Sequence, residues 1–499
     1  MRLRFKYKLL VSFLAGSFLP LAYSPFDFFW IAPLCYAVLF YSWSSLSPSR
    51  TFWCGFSFGC ASFFSGIHWV YVSIHDFGQL HPFAAAVLTL ALVMILACYI
   101  ALTGWIAAYW FPNDGPCAWI GVFPAVWVLV EWLRGWFLSG FGWLSAGYSQ
   151  TDSWLIGFAP IGGVYLISWM VLLTAGFIVC VATYASRKRI VVASCLGILW
   201  AIGLLLSKFS WGDPTGRLLT VSLVQGAVPQ DLKWRPEQFE PTLELYQRLT
   251  EDSAGSRLIL WPEAAIPALY NTVEGFLEGV HDRASELGGT VALGILRDSP
   301  EGGSLQNSLV VLGEDPRFYN KRHLVPYGEV FPVPSFMRRW LRLMNLPYTD
   351  IVAGEPNQLP LEIAGEKAAV TICYEDLFGA EQLHYFPDAS LIVNVSNDAW
   401  FGNTIAPHQH LQIARMRSAE VSRYTLRAAN TGISGVIDPR GRIVANLPQF
   451  EPNVLNTAIQ GYTGKTPYVL WGNYLVVMSV LMVLFAQFLV TKFIIRPET

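Results

Sequence analysis

Three residues of this chain have side chains and settings suited to nucleophilic attack on a carbonyl: Cys373, Glu263 and Lys321. Cys373 closes the apolar run 368–372 and opens the stretch Cys373-Tyr374-Glu375-Asp376. It is the only cysteine in residues 212–465; the other seven, Cys35, Cys54, Cys60, Cys98, Cys117, Cys180 and Cys195, lie in the apolar N-terminal part. A lone thiol there has no disulfide partner within its region and too few thiolates around it for a cysteine metal site. An isolated cysteine is most often small apolar filler, so the case for chemistry rests on its company. A cysteine nucleophile needs a base to take its proton and a positive group to steady the oxyanion formed when it attacks a carbonyl. Glu263, in Trp261-Pro262-Glu263-Ala264, and Lys321, in Tyr319-Asn320-Lys321-Arg322, supply those charges, each just beyond an apolar run. Three strand ends can meet at one edge of a sheet, a usual place for a site in α/β folds. Spacing alone leaves a second reading open, in which Glu263 and Lys321 are solvated surface groups.

The elements that would position these residues read as α/β. Residues 218–224, 257–261, 290–295, 308–312, 368–372 and 391–395 are short apolar or β-branched runs, the pattern of strands. Polar, helix-capable stretches at 236–253 and 407–429 lie between them. Asp438-Pro439-Arg440-Gly441, between Ile437 and Ile443, carries the residues of a hairpin turn. Strands alternating with helices across residues 212–465 fit one sizeable domain.

Around that domain the composition changes. The 499 residues are 54% apolar and 15% aromatic but only 14% charged, with a mean hydropathy of +0.41. Such a chain is too apolar for an ordinary soluble protein and calls for several membrane spans. Its net charge of −2 gives no sign of a nucleic-acid partner. Residues 83–113, 153–186, 190–206 and 466–491 contain no Asp, Glu, Lys or Arg. With about 20 apolar residues needed per spanning helix, spans are expected near 8–24, 27–43, 52–72, 84–110, 116–136, 161–185, 190–207 and 468–491. Ser24-Pro25 splits the first two, which are short. Arg2, Arg4, Lys6 and Lys8 before an apolar run imitate a secretory signal, but further spans follow at once, so an uncleaved first helix is expected.

Lys/Arg bias in short loops sets orientation. The N-terminal basic cluster, Arg50, Arg187-Lys188-Arg189, Lys492 and Arg496 fall on one side if seven spans precede a large domain and an eighth follows it. That side is then cytoplasmic, and the large domain faces outward, into the periplasm of a bacterium. The expected division is 1–211 as a membrane domain, 212–465 as a catalytic domain and 466–499 as a last span with a cytoplasmic tail.

The Glu–Lys–Cys order resembles the nitrilase (carbon–nitrogen hydrolase) superfamily, and its union with flanking spans resembles the apolipoprotein N-acyltransferase family. The matching stretches run along nearly the whole chain: Gly66-Ile67-His68-Trp69-Val70-Tyr71-Val72-Ser73, Glu131-Trp132-Leu133-Arg134-Gly135-Trp136, Trp261-Pro262-Glu263-Ala264-Ala265-Ile266-Pro267, Tyr319-Asn320-Lys321-Arg322-His323-Leu324-Val325-Pro326, Ile372-Cys373-Tyr374-Glu375 and Ser396-Asn397-Asp398-Ala399-Trp400-Phe401-Gly402. The resemblance implies an α-β-β-α sandwich beside a polytopic helical membrane domain, and no cofactor or metal. It implies a two-step, ping-pong acyl transfer at the bacterial inner membrane. Cys373 takes the sn-1 acyl chain of a phospholipid, typically phosphatidylethanolamine, as a thioester. The α-amine of a diacylglyceryl-cysteine at an apolipoprotein N-terminus then takes it as an amide, the last step of lipoprotein maturation. Glu263 is then the general base and Lys321 the oxyanion stabiliser, beside the Tyr374 backbone N–H. Glu329 and Glu375 match supporting positions, Glu329 orienting Lys321 or sharing its charge. Trp234 matches a tryptophan near the lipid entrance, with a buried core aromatic as the alternative. Asp376 carries no weight in this reading.

The stretch Phe336–Met344 mixes apolar and basic residues at helical spacing, which suits an arm dipping into lipid. Glu131 and Arg134, three apart near a span end, are expected to pair structurally. His408 and His410 lack a third clear ligand, and no metal is expected. Two other classes fit parts of the sequence. A membrane-anchored nitrilase-type amidase would use the same triad on a water-soluble substrate and would not need eight spans. A transporter or scaffold would tolerate loss of the triad.

Overall fold

Each of the eight expected spans contains a helix in the computed structural model, which describes residues 4–112, 114–300, 302–330 and 351–491. These helices are Phe5–Phe18, Ile31–Trp43, Pro48–Gly66, Pro82–Trp110, Phe123–Arg134, Ala159–Thr183, Ser186–Lys208 and Tyr474–Leu489. Counting the short turns continuous with them, five stretches are long and apolar enough to cross a membrane: Phe5–Ala22, Pro82–Trp110, Cys117–Arg134, Trp154–Thr183 and Arg187–Lys208. Ile31–Trp43 and Tyr474–Leu489 are apolar but shorter. Pro48–Gly66 has the length, but its serines and glycines dilute its apolar character. The last expected span is broken, because Pro467–Trp471 forms its own short helix.

Two compact units emerge. One comprises Met1–Phe209, Asn403–Gln412 and Leu470–Thr499, the other Ser210–Gly402 and Ile413–Val469. In the first, the buried carboxylate of Glu131 accepts hydrogen bonds from Trp127 Nε1 at 3.2 Å and the Ala146 N–H at 2.9 Å. Arg134 lies 4.0 Å from it and donates to the carbonyls of Phe141 and Trp143 at 2.9 and 2.7 Å. The two charges, both buried, are thus satisfied locally, as apolar surroundings require.

The second unit is a sandwich of two sheets with helices outside. Its strands are β1 (Asp213–Gln225), β2 (Leu258–Leu260), β3 (Thr290–Asp298), β4 (Leu305–Val311), β5 (Arg317–Asn320), β6 (Leu361–Ile363), β7 (Glu366–Ile372), β8 (Leu391–Ser396), β9 (Tyr424–Ala429), β10 (Gly435–Ile437), β11 (Ile443–Asn446) and β12 (Asn453–Thr463). Among the described residues they form two six-stranded sheets, ordered β12-β1-β2-β3-β4-β5 and β11-β10-β9-β8-β7-β6. Successive side chains on a strand point to opposite faces, and the sequence exploits this. Leu258, Leu260, Ala292, Leu309 and Val311 enter the layer between the sheets, against Val370, Ile372, Val393, Val395 and Leu426. Their neighbours Ile259, Trp261, Val291, Leu293, Ile295 and Val310 face the other way, onto Tyr246, Leu277 and Val280 of the helices Phe239–Glu251 and Glu274–Glu286.

One expected helix is shortened. Within 407–429, Ala406–Val421 is helical, but the left-handed φ of 55° at Ser422 ends it and Tyr424–Ala429 joins the second sheet as β9. There its buried side chains and ladder bonds to β8 and β10 outweigh helix propensity. The hairpin at Asp438–Gly441 forms between β10 and β11, with Gly441 at φ 78° and Asp438 Oδ1 accepting from the N–H groups of Arg440 and Arg442, both at 2.9 Å. Phe336–Met344, together with Arg2, Lys492 and Arg496, lies outside the described residues.

Candidate active site

Glu263 follows β2, Lys321 follows β5 and Cys373 follows β7. The sequence led us to expect one sheet edge; instead the three ends belong to both sheets, so the site straddles the sandwich. β2 lies between the parallel strands β1 and β3, and β7 lies between the parallel β8 and the antiparallel edge strand β6; the loops leaving their carboxyl ends carry Glu263 and Cys373.

Cys373 sits at a strained corner. Its φ is 52°, in the left-handed region that side-chain-bearing residues rarely adopt. The chain turns there from β7 into the short helix Cys373–Leu377, and the thiol is half-buried. Burial and the charge of Glu263 push this thiol well above the ordinary range, while Lys321 and a hydrogen bond with Ser396 pull against them. The resting thiol is therefore protonated, and ionising it calls for a base.

Glu263 is held on both oxygens. Its Oε1 accepts from Asn307 Nδ2 at 2.7 Å and from Lys321 Nζ at 3.2 Å, and its Oε2 accepts from the Asn397 N–H at 2.8 Å. Gly294 makes room for it: a Cβ there would stand 2.5 Å from the Glu263 Cα and 2.7 Å from the Pro262 carbonyl oxygen. Lys321 is buried and lies 2.9 Å from Glu329 Oε1. Burial works against its charge, but the carboxylates of Glu263 and Glu329 prevail and hold the ammonium above the ordinary lysine range. Its backbone is fixed too, donating to the Asn307 carbonyl at 2.7 Å and accepting from the Gly354 N–H at 2.8 Å. Glu329 is held in turn by Asn307 Nδ2 at 3.1 Å and the Val325 N–H at 2.8 Å.

Glu375 ties the supports of this cluster together. Its carboxylate accepts from Tyr319 Oη at 2.9 and 3.0 Å and from the N–H groups of Arg322, His323 and Ile372 at 2.8, 3.2 and 2.7 Å. One buried carboxylate thus clamps the segment after Lys321 to the strand end before Cys373. Burial pushes its carboxyl above the ordinary range, and the N–H groups of Arg322 and Ile372 pull it partly back. Tyr374 is half-buried beside Phe378, ring centroids 5.3 Å apart. Trp234 is 50% exposed, which removes the core-aromatic alternative. His408 and His410 lie on the helix Ala406–Val421, where His410 packs against Trp143.

Several contributors escaped the sequence reading. Asn307 touches both carboxylates, and it lay unmarked among the polar neighbours Gln306 and Ser308 at the start of β4. Asp376 is fully buried: its Oδ2 lies 3.3 Å from Arg427, which also reaches Asn394 Oδ1 at 2.6 Å and Asp398 Oδ2 at 2.9 Å. Asp376, Arg427 and Asp398 together bind the ends of β7, β8 and β9, and hence the turn presenting Asn397 to Glu263.

Taken together, the geometry offers a protonated thiol at a strained corner, a fixed carboxylate and a permanently charged ammonium. That is the equipment of acyl transfer through a covalent enzyme intermediate. Residues 15–177 match the family described as Apolipoprotein N-acyltransferase N-terminal domain, and residues 220–468 match Carbon-nitrogen hydrolase. A relative from Methylococcus capsulatus named Apolipoprotein N-acyltransferase is 42% identical over 93% of this chain and 93% of its own length. One from Nitrosomonas europaea with the same name is 40% identical over 94% and 95%. Among solved structures, a CN-hydrolase superfamily protein from Xanthomonas campestris aligns with 49% of this chain and 91% of its own at 19% identity, with a TM-score of 0.36.

Proposed function

This chain belongs to the apolipoprotein N-acyltransferase family, and we propose that its acyl transfer runs through Cys373 in two half-reactions. It is a membrane-embedded acyltransferase that N-acylates lipoproteins with a lipid-derived chain. The finer reading is as follows. Glu263 takes the Cys373 proton as the sulfur attacks the sn-1 ester carbonyl of a phospholipid, phosphatidylethanolamine among them. Negative charge develops on the former carbonyl oxygen, where Lys321 and the Tyr374 N–H stabilise it. The ester C–O bond breaks, Glu263 returns the proton to the glyceryl oxygen, and a lysophospholipid leaves. The amine of a diacylglyceryl-cysteine then attacks the thioester, Glu263 accepts a proton from it, and the C–S bond breaks to give the amide as Glu263 passes that proton to the departing sulfur, regenerating the thiol. Glu329 keeps Lys321 charged and in place, Glu375 holds the two loops in register, and Trp234 faces the incoming lipid. The thioester conserves acyl-transfer energy between two membrane-held substrates.

The observation that carries this reading is the meeting of three strand ends, with Cys373 at the left-handed corner after β7 and Lys321 Nζ 3.2 Å from the fixed Glu263 carboxylate. Incubating the purified protein with phospholipid and searching for an acyl adduct on Cys373 by mass spectrometry tests it. An adduct with release of lysophospholipid before any acceptor is added is expected; no adduct on Cys373 would sink the reading.

The membrane arrangement belongs to the same proposal. Residues 1–211 and 466–499 lie in the inner membrane with both termini cytoplasmic, and 212–465 face the periplasm, where the bilayer itself must supply the acyl group. The support is the one-sided distribution of Arg50, Arg187, Lys188 and Arg189.

A further inference from the structure

Lys233 is a buried charged side chain that the mechanism above does not use. It ends the short helix Gln230–Lys233, its exposure is 0%, and its Nζ has no hydrogen-bond partner among the described residues. A buried ammonium without an acceptor is costly, and such a group calls for an explanation. Its turn is strapped to the active-site loops. Gln230 Oε1 accepts from Asn397 Nδ2 at 3.0 Å, and Asn430 Nδ2 donates to the Val228 carbonyl at 2.8 Å and to Asn397 Oδ1 at 3.2 Å. Asn397 is the residue whose N–H holds Glu263. Lys233 lies within the electrostatic reach of Glu263: burial pushes the amine down to about 8, and the Glu263 charge acts against that fall.

The charges around the nucleophile explain why a second cation is useful. Glu263, Glu329 and Lys321 together leave one negative charge uncompensated, and that excess opposes both ionisation of Glu263 and negative charge on sulfur. The remaining acid close to the thiol, Asp398 from the loop after β8, is occupied by Arg427. We propose that Lys233 is a positioning residue for charge: a second buried cation that keeps Glu263 ionised, and so basic, while it stands beside Glu329 and the Cys373 sulfur. The proposal rests on the reading of Glu263 as the base.

The experiment is the pH dependence of single-turnover Cys373 acylation by phospholipid, in detergent, for the wild type and Lys233→Met. Methionine keeps the apolar stem and removes the charge, and replacing an unpaired buried charge by an apolar group is compatible with folding. Loss of a nearby opposite charge raises a carboxyl by about one pH unit or more. The acid limb of the variant is therefore expected about one unit higher, with acylation slowed roughly tenfold on that limb. A variant limb coincident with the wild type, or a wild-type profile without an acid limb, overturns the inference. Absence of any wild-type adduct on Cys373 instead overturns the underlying reading, which separates the two failures. Lys233→Gln and Lys233→Leu repeat the test, and misfolding of all three variants would assign Lys233 to the fold and overturn the inference as well.

Discussion

Lys321 lies closer to Glu329 than to Glu263, at 2.9 against 3.2 Å. The shorter ion pair anchors the ammonium to Glu329, so that in the proposed mechanism Glu263 can take and return a proton without releasing Lys321. Glu329→Gln keeps the shape but weakens a charge-assisted hydrogen bond of roughly 1.5–3 kcal/mol. Cys373 acylation is expected to slow by about tenfold or more, with little change in lipid binding. Wild-type acylation by this variant would remove Glu329 from the site.

Lys321→Ala and Cys373→Ser separate the two roles. The alanine variant keeps its thiol but loses a donor to the developing oxyanion, an effect of ~10²–10³ in rate. The serine variant should form no acyl-enzyme, because a carboxylate is too weak a base for an alcohol at neutral pH. Rapid-quench mass spectrometry of both variants checks this, and normal turnover by the serine variant would exclude Cys373 as the nucleophile.

Gly294 is predicted to be intolerant of even one added methyl. Gly294→Ala must push Glu263 away from Asn307 and Asn397, and misplacement by about 1 Å can cost ~10²-fold in rate. The variant should fold, keep an alkylatable Cys373 and acylate slowly. Unimpaired acylation would show that Glu263 need not be held so closely.

The ammonium of Lys233 also predicts a stability profile. Its folded value of about 8 lies below the ordinary 10.5, so between those values the unfolded chain binds a proton that the folded chain does not. Stability from this group therefore rises as pH climbs from about 8 to 10.5, and its cost is full below pH 8. At 1.36 kcal/mol per pH unit, that cost is about 3 kcal/mol. Lys233→Met should raise stability at pH 7 and lose most of that gain by pH 10.5, as read by denaturant or thermal melts. A gain that does not vary with pH would assign the effect to packing.

A labelling experiment tests the proposed topology. A cysteine introduced at the exposed Glu278, in a background without other accessible thiols, should react with a membrane-impermeant maleimide added to spheroplasts. Labelling only after the inner membrane is opened would reverse the orientation.

The sequence makes Cys373, Glu263 and Lys321 stand out because each follows an apolar run, and strand ends are punctuated locally by such residues. It could not show that β2 and β5 lie in one sheet and β7 in another, since strand partnership depends on contacts far apart in the chain. β9 was hidden because Tyr424–Ala429 continues a helix-capable stretch and turns only at the left-handed Ser422. Asn307 and Arg427 were silent for a related reason. A polar residue within a strand looks like a surface position until the fold covers it, and only then does its charge or amide acquire a fixed partner.

Arg427 joins the ends of three strands through one guanidinium. Breaking that junction by removing one partner leaves buried charge uncompensated, at roughly 3–5 kcal/mol. Neither the turn after Cys373 nor the one bearing Asn397 can therefore loosen alone at small cost. In amide hydrogen exchange the two turns should behave as a single cooperative unit, opening together and rarely, so that nucleophile and base-holding loop stay matched until the whole end of the sandwich gives way.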